Sequence, residues 1–326
     1  MSLAIAEIRA RRGLSGRWLA EALAWLAWIA AYFALPEELP LLGQAAIAAL
    51  FALSLDLIVG YAGVVTLGQA AFYGLGAYTA GLLAAHGWGE PISGLLLAAA
   101  AAALLGLATA PLVLRGGDLA GLMVTLGLSL MLYEAANKVA WLTGGADGLQ
   151  GVEVWPVLGL FRFDLYGRTA FLYALAVLAL LFALARRITA SPFGLALRGI
   201  RGNPRRMPAL GTPVRARLSA AYALSAAYAG VAGALLAQTT QFVSLEVLSF
   251  QRSAEGLLML VLGGLGRLYG GVLGAVLFVV AHQMLAEMSP QFWQFWIGAA
   301  LVALALAGRG GVLGLLAAGL ARLGGR

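Results

Sequence analysis

Cysteine is absent from the 326 residues, and charged residues make up only 11% of them. Without a thiol the chain can form no disulfide, no cysteine-ligated metal site and no thiol nucleophile. Soluble domains carry about 25% charged residues. Fourteen acids and twenty-one bases cannot keep a chain that is 62% hydrophobic in solution. The composition therefore excludes a soluble enzyme, a disordered regulator and a secreted disulfide scaffold.

Lysine occurs once, at Lys138, and histidine twice, at His86 and His282. A phosphate-binding loop needs the pattern G-x-x-x-x-G-K-[ST], and Lys138 is followed by valine with no such glycines before it. If ATP drives this protein, another chain must bind it, and we expect no cofactor or metal in this one. The zinc-protease motif H-E-x-x-H is missing. A G-x-S-G match at 13–16 lies in a basic tail, so an intramembrane enzyme is not favoured.

Long apolar runs dominate what is present, and the mean hydropathy is +0.91. A membrane-spanning helix needs about 20 mainly apolar residues. The expected fold class is an all-α polytopic membrane protein with about ten transmembrane helices (eight to ten). The segment 254–265 is too short to cross alone, so an eight-span arrangement with one re-entrant pair stays open. The predicted spans are 18–35, 41–59, 67–85, 92–114, 119–141, 169–186, 218–238, 254–265, 268–286 and 292–308.

The distribution of arginine predicts the orientation, because cytoplasmic loops of membrane proteins carry an excess of Lys and Arg. The segment from Arg186 to Arg217 holds eight arginines and no acid, and the N-terminal tail holds four. Both are expected in the cytoplasm, and the six spans between them agree. The predicted organisation is a basic cytoplasmic tail (1–17), a transmembrane domain (18–308) with a cytoplasmic loop (187–217) and an outer loop (142–168), and a cytoplasmic C-terminal tail (309–326).

Two glycine-rich clusters interrupt the apolar runs. The first, over 60–79, mixes glycine with polar side chains, which is typical either of a broken helix along a transport pathway or of tight helix packing. In the second, over 263–274, glycines four residues apart present a smooth helix face, which favours packing. The glycines expected at packing surfaces are Gly60, Gly63, Gly74, Gly263, Gly264, Gly266, Gly270 and Gly274.

The basic loop contains a predicted docking helix. Asn203 followed by Pro204 is a typical helix start, and Gly211 is a typical stop. We therefore predict a short helix over 204–210, made irregular by Pro208, which lacks an N–H donor. Attraction to anionic lipid explains part of the positive charge. Eight arginines around a capped helix favour a docking surface for a cytoplasmic partner.

Asp56 lies inside the second predicted span. A carboxylate there is costly and should face a cavity or a partner, and its position near the cytoplasmic end suggests that water reaches it. An ion-coupled secondary transporter would need midplane charges and inverted repeats. Asp56 is the only candidate charge and no repeat is evident, so that class is the less favoured alternative.

Five segments resemble, in order, the signatures of permeases of branched-chain amino-acid ABC transporters, specifically the LivM-type subunit. The resemblance covers roughly residues 40–290, and several ordered motifs over that length are specific. The segments are GYAGVVTLGQAAFYGLGAYTAGLL (60–83), LTGGADGLQGV (142–152), SPFGLALRGIRGNPRRMPALG (191–211), LSAAYALSAAYAGVAGAL (218–235) and LLMLVLGGLGRLYGGVLGA (257–275).

This resemblance implies a membrane subunit of an ATP-driven importer in a prokaryotic inner membrane. Its partners would be a second, LivH-like permease subunit, two ABC ATPase subunits that bind the ATP, and an extracytoplasmic substrate-binding protein, with no nucleic acid. The substrate would be a branched-chain or related amino acid, with urea, amides or another small solute as alternatives. Whether the permease pair is homodimeric or heterodimeric stays open.

The resemblance also implies roles for particular residues. The basic loop would contact the ATPase subunits, although the family's acidic residue after the turn is absent here. Asp56 likewise stands where the family commonly has an amide. The glycine-rich signature suggests Gln69, Tyr73, Tyr78 and Thr79 as polar lining of the pathway. The residues assigned to ATPase coupling are Arg198, Arg201, Asn203, Pro204, Arg205, Arg206, Met207, Leu210 and Gly211.

Overall fold

The computed structural model of the protein describes residues 25–115, 118–157, 159–164 and 166–288, with short pieces between 292 and 299. Helix α2 continues directly into a π-helical turn, Asp56–Ala62. Within the described ranges, extended pairing is limited to two isolated bridges, Leu149 with Val243 and Val157 with Phe161. The helices are α1 (Trp25–Ala34), α2 (Leu39–Leu55), α3 (Gln69–Ala85), α4 (Pro91–Val113), α5 (Asp118–Lys138), α6 (Ala140–Thr143), α7 (Arg168–Ala190), α8 (Pro192–Gly202), α9 (Val214–Thr240), α10 (Phe250–Gly263) and α11 (Leu268–Met288).

In the described part of the chain, six helices are long and apolar enough to cross a membrane. Each coincides with a predicted span, which confirms an all-helical polytopic protein. Helices α3 and α10, predicted as spans 67–85 and 254–265, have 17 and 14 residues, at or below the lower limit of about 17 for a span. The six are Leu39–Ala62, Pro91–Val113, Leu119–Lys138, Arg168–Ala190, Val214–Thr240 and Leu268–Met288.

The count of ten spans stays a prediction. The predicted last span, 292–308, lies almost entirely outside the described residues, as do both predicted tails, 1–17 and 309–326. The predicted first span is described only as α1, whose aromatic side chains pack on α7. Trp25 meets the Phe182 ring edge-on with centroids 5.6 Å apart, and Trp28 stacks on Phe171 at 6.1 Å.

Glu90 sets the start of α4. Its carboxylate accepts hydrogen bonds from the backbone N–H groups of Ile92 and Ser93 at 3.3 and 2.5 Å, and Pro91 occupies the first helical position, where no N–H is needed. Partial burial raises the pKa of Glu90, and the hydrogen bonds from Ser93 and Ile92 lower it. The hydrogen bonds together have the larger effect, so the pKa of Glu90 lies below its usual range. The helix therefore begins at a capped, charged end next to the outer loop.

Helices α2 and α9 form the centre of the bundle: α9 packs on α3 and α4, and α2 packs on α7, α9 and α11. Lipid tails are as apolar as leucine, so association in a membrane depends on close packing of small residues. A Cβ at Gly230 would lie 2.6 Å from the Ala102 Cβ of α4, and one at Gly233 would collide with the Tyr73 carbonyl of α3. These two glycines allow the backbone of α9 to approach α3 and α4 closely. They were not among the packing glycines predicted from the sequence.

The second predicted glycine cluster joins α10 to α11. A Cβ at Gly263 would collide with the Gly270 carbonyl, and one at Gly274 would lie 2.7 Å from the Gly263 nitrogen. Gly264 and Gly266 instead form the turn between the two helices, with φ of 107° and 75°. Glycine is needed there because side-chain-bearing residues rarely adopt positive φ. The cluster therefore combines a packing face with a tight turn.

Replacing Gly233 by alanine is expected to destabilise the bundle, because the new Cβ has no room beside the Tyr73 carbonyl. Overpacking of this kind costs about 1–3 kcal/mol. Gly127 on α5 has no atom within 4 Å of its Cβ position, so Gly127→Ala is the matched control. Thermal unfolding of the detergent-solubilised protein should show a lower Tm for Gly233→Ala only. Equal Tm values for the two variants would contradict the close approach of α9 and α3.

Candidate functional site

The basic segment between α7 and α9 contains helix α8, Pro192–Gly202, which follows Ser191 in extended conformation. The predicted helix over 204–210 is wrong. That stretch forms turns, and only Pro208–Leu210 adopts a single 3₁₀ turn. The basic segment is thus a regular helix, α8, followed by an irregular exposed loop.

Pro208 explains why no regular helix extends over 204–210. The Asn203 side-chain oxygen accepts from the backbone N–H groups of Arg205 and Arg206, both at 3.2 Å, which is the bonding of a helix N-cap. Pro208 has no N–H to donate to the carbonyl four residues before it, and its ring would clash with that carbonyl in a helix, so the stretch forms turns. Gly211 ends the segment with φ of 75°, in the left-handed conformation that its predicted role as a stop requires.

Helix α8 is amphipathic. Gly194, Leu197 and Ile200 are buried on one face, three residues apart, as a helix lying on the bundle requires. The loop beyond it is exposed, including Arg205 and Arg206. Leu210, with 76% of its surface accessible, adds an apolar contact to this basic surface. These exposed groups can meet a cytoplasmic partner.

Two of the predicted coupling arginines contact the membrane domain. The Arg198 guanidinium carbon lies 5.1 Å from the centroid of the Tyr61 ring, and its Nη2 donates to the Thr189 carbonyl at 3.2 Å. Nη1 of Arg201 donates to the carbonyl of Gly60. Because Gly60 and Tyr61 belong to the π-helical turn, these contacts fasten α8 to the end of α2.

Asp56, at the start of the same turn, is completely buried. Its Oδ1 accepts from the backbone N–H of Gly266 at 2.7 Å, in the turn between α10 and α11. A Cβ at Gly60 would collide with this carboxylate, so only glycine fits beside it. The expectation that water reaches Asp56 is wrong, because α8 and the Gly266 turn cover it. Helix α2, helix α8 and the α10–α11 turn therefore meet at one buried junction.

A second buried polar cluster lies deeper in the bundle and includes Gln69, the first residue of α3. Its Nε2 donates to Ser54 Oγ at 3.1 Å and to Ser225 Oγ at 2.9 Å. Ser225 Oγ in turn donates to the Ser54 carbonyl at 2.7 Å. These bonds connect α2, α3 and α9. The two serines were missed from the sequence, although each is a polar residue within an apolar run.

The other predicted pathway residues lie along α3. Tyr73 packs on Phe51 with ring centroids 4.8 Å apart, and it lines a cavity of about 430 Å³. Tyr78 is buried. Thr79 donates to the Leu75 carbonyl of its own helix at 2.7 Å. The structure thus brings Tyr73 to a cavity and Gln69 to a buried polar cluster, and their roles in transport stay predictions.

The comparisons with known proteins identify the family. A family model described as "Branched-chain amino acid transport system / permease component" matches residues 39–306. The chain belongs to this family. The match extends from the start of α2 beyond α11, so it includes the junction, the basic segment between α7 and α9, and the cavity. It confirms the resemblance found in the five sequence segments.

Two curated relatives of this permease carry the name "High-affinity branched-chain amino acid transport system permease protein LivM", one from Escherichia coli (strain K12) and one from Salmonella typhimurium (strain LT2). Each is 34% identical to the permease over 265 residues, which cover 73% of this chain and 61% of the relative. The chain therefore spans about three fifths of the length of these relatives. No solved structure matches it.

Membership of this family makes the chain a permease component. Together with the six long apolar helices, it makes the permease a multi-pass protein of the inner membrane.

Replacing Arg201 by glutamine is expected to loosen α8 from α2 in this permease, because the donor to the Gly60 carbonyl is lost. Hydrogen exchange followed by mass spectrometry should show faster exchange in peptides covering 57–66 and 194–203. Arg206→Gln is the matched control, since that exposed arginine lies outside the junction. Unchanged exchange in both segments of Arg201→Gln would contradict the attachment.

Proposed function

We propose that the permease is the LivM-like membrane subunit of an ATP-driven importer that moves branched-chain or related amino acids into the cell. The observation that carries this proposal is the family match over residues 39–306. The names of the relatives, which describe high-affinity branched-chain amino acid transport, support the substrate class. The eight arginines of the segment 186–217, which contains α8, support a cytoplasmic partner.

The proposed assembly contains a second, LivH-like permease subunit, two ABC ATPase subunits on the cytoplasmic face and a substrate-binding protein outside. ATP is bound by the ATPase subunits and not by this chain. In this assembly the permease has ten transmembrane spans and both termini in the cytoplasm. Helices α3 and α10 are its two short spans. The excess of arginine in the segment 187–217 supports that orientation.

The coupling mechanism follows from the contacts of α8. Closure of the ATPase subunits pushes on the exposed loop, which is continuous with α8. Arg198 and Arg201 attach α8 to the π-helical turn of α2. The hydrogen bond between Asp56 and Gly266 extends the attachment to the α10–α11 turn. A displacement of α8 therefore moves α2, α10 and α11 together, which is how these helices would open the pathway alternately to each side.

The proposed function is tested with the complete complex in proteoliposomes. Vesicles loaded with ATP are expected to accumulate leucine presented with the binding protein, and ionophores that collapse ion gradients should have no effect. A complex whose ATPase subunits cannot hydrolyse ATP is the control. Uptake that ionophores abolish and ATP depletion spares would contradict the ATP-driven mechanism. Uptake of urea or amides without amino acids would contradict the substrate class.

A cysteine at Met207 is expected to cross-link to a cysteine on an ATPase subunit, because Met207 lies in the loop proposed to dock there. The permease has no native cysteine, so each variant carries a single thiol. Gln150→Cys in the outer loop is the control and should give no cross-link. Cross-linked bands are measured on denaturing gels after mild oxidation. Their absence for Met207→Cys in a transport-competent complex would argue against docking at this loop.

A further inference from the structure

The cavity of about 430 Å³ lies between α2, α10 and α11. Its volume falls within the range of about 300–1,000 Å³ that is typical of small-molecule sites. Its wall combines apolar side chains with charged and amide groups. The apolar and charged residues that line it include Phe51, Met259, Phe278, Arg252, Glu255 and Glu246.

The cavity exists because α10 is short. Helix α10 has 14 residues and α11 has 21, which correspond to lengths of about 21 and 32 Å at about 1.5 Å per residue. The two helices are joined by the turn that contains Gly264 and Gly266, so α10 begins about 10 Å deeper than the far end of α11. In the orientation predicted by the arginines, that far end is the outer one. The cavity, lined by Gln44 near the start of α2 and His282 near the end of α11, therefore lies toward the outer side in that orientation.

A charged pair stands at this opening. Arg252 Nη1 lies 3.1 Å from Glu255 Oε2, and Gln251 Nε2 donates to the other carboxylate oxygen at 3.2 Å. The Nε of Arg252 is buried and has no hydrogen-bond partner among the described residues. Ionisable groups within a membrane are costly and mark the paths of substrates and ions. The pair also lies in the first turns of α10, whose N-terminal dipole favours a bound anion.

The apolar lining residues supply a different chemistry. Phe51 of α2, Met259 of α10 and Phe278 of α11 are buried side chains that line the same cavity. Glu246, which is exposed, adds a second carboxylate to the charged lining. A molecule that matches both sets of residues has one anionic group, one cationic group and an apolar body. An amino acid with a hydrocarbon side chain meets all three requirements.

We propose that this cavity binds the transported amino acid on its way through the permease. Arg252 binds the α-carboxylate, Glu255 and Glu246 face the α-ammonium group, and the side chain packs on Phe51 and Met259. The inference rests on the proposed function, which it deepens by naming a substrate site in this chain.

Matched charge removals test the site in the complete complex. Arg252→Gln and Glu255→Gln are each expected to lower leucine uptake at least tenfold while ATP hydrolysis stimulated by the binding protein continues. Arg168→Gln and Glu153→Gln remove the same charges from exposed positions outside the cavity and should leave uptake unchanged. Normal uptake by the two cavity variants would overturn the inference.

Protection of an introduced thiol tests binding without requiring transport or removing a charge. Gln44→Cys places the single cysteine of the chain at the cavity wall, and a membrane-impermeant maleimide reports its accessibility. L-leucine should slow labelling. Isocaproate, which lacks the ammonium group, and isoamylamine, which lacks the carboxylate, should not. Gln150→Cys, outside the cavity, should react at the same rate with every compound.

The outcomes separate the inference from the proposed function. Leucine uptake by the unmodified complex without protection of Gln44→Cys would overturn the site and leave the function standing. If the unmodified complex moves no amino acid, the proposed function fails, and the protection assay decides the site by itself. The alternative is that the Arg252–Glu255 pair only holds two permease subunits together. In that case Arg252→Gln would lower the amount of assembled complex, and leucine would not protect Gln44→Cys from labelling. This result would also overturn the site.

Discussion

Within a membrane every backbone N–H and C=O must find its partner inside the protein, because hydrocarbon offers none. The permease leaves regular α-helix at the π-helical turn of α2 and at the turn between α10 and α11, and these two irregular places cover each other. The Gly60 carbonyl accepts from Arg201, and the Gly266 N–H donates to Asp56. One requirement thus joins α8, α2 and the α10–α11 hairpin at a single junction.

The same requirement explains the unusual composition of the buried helices. Gln69 Nε2, Ser54 and Ser225 form hydrogen bonds with one another across three helices, so these donors and acceptors are paired inside the protein. Glycine and alanine then allow the backbones to approach closely enough for these short side chains to reach. Where a helix stops short, as α10 does, the charged groups of its first turns line a cavity.

Sequence reasoning succeeded where a single local property decides the outcome. The helices that coincide with predicted spans follow from apolar length, and the family follows from ordered motifs. It failed for α8 because two start signals compete in one loop. Ser191 followed by Pro192 is as good a start as Asn203 followed by Pro204. The first leads into a helix whose Leu197 and Ile200 are buried on the bundle, whereas the turn that Asn203 caps cannot continue as a helix past Pro208.

The sequence by itself determined that this protein is a polytopic membrane protein of the permease family, that its basic loop is its most positively charged segment, and where its glycines cluster. These properties depend on composition and on residues close together in the chain. Only the tertiary structure decided what Asp56 touches and which arginines contact the membrane domain. It also decided that Arg252 and Glu255, which read as ordinary charges near a loop, line a cavity. Those contacts join residues up to 210 positions apart, and their geometry depends on how the helices pack.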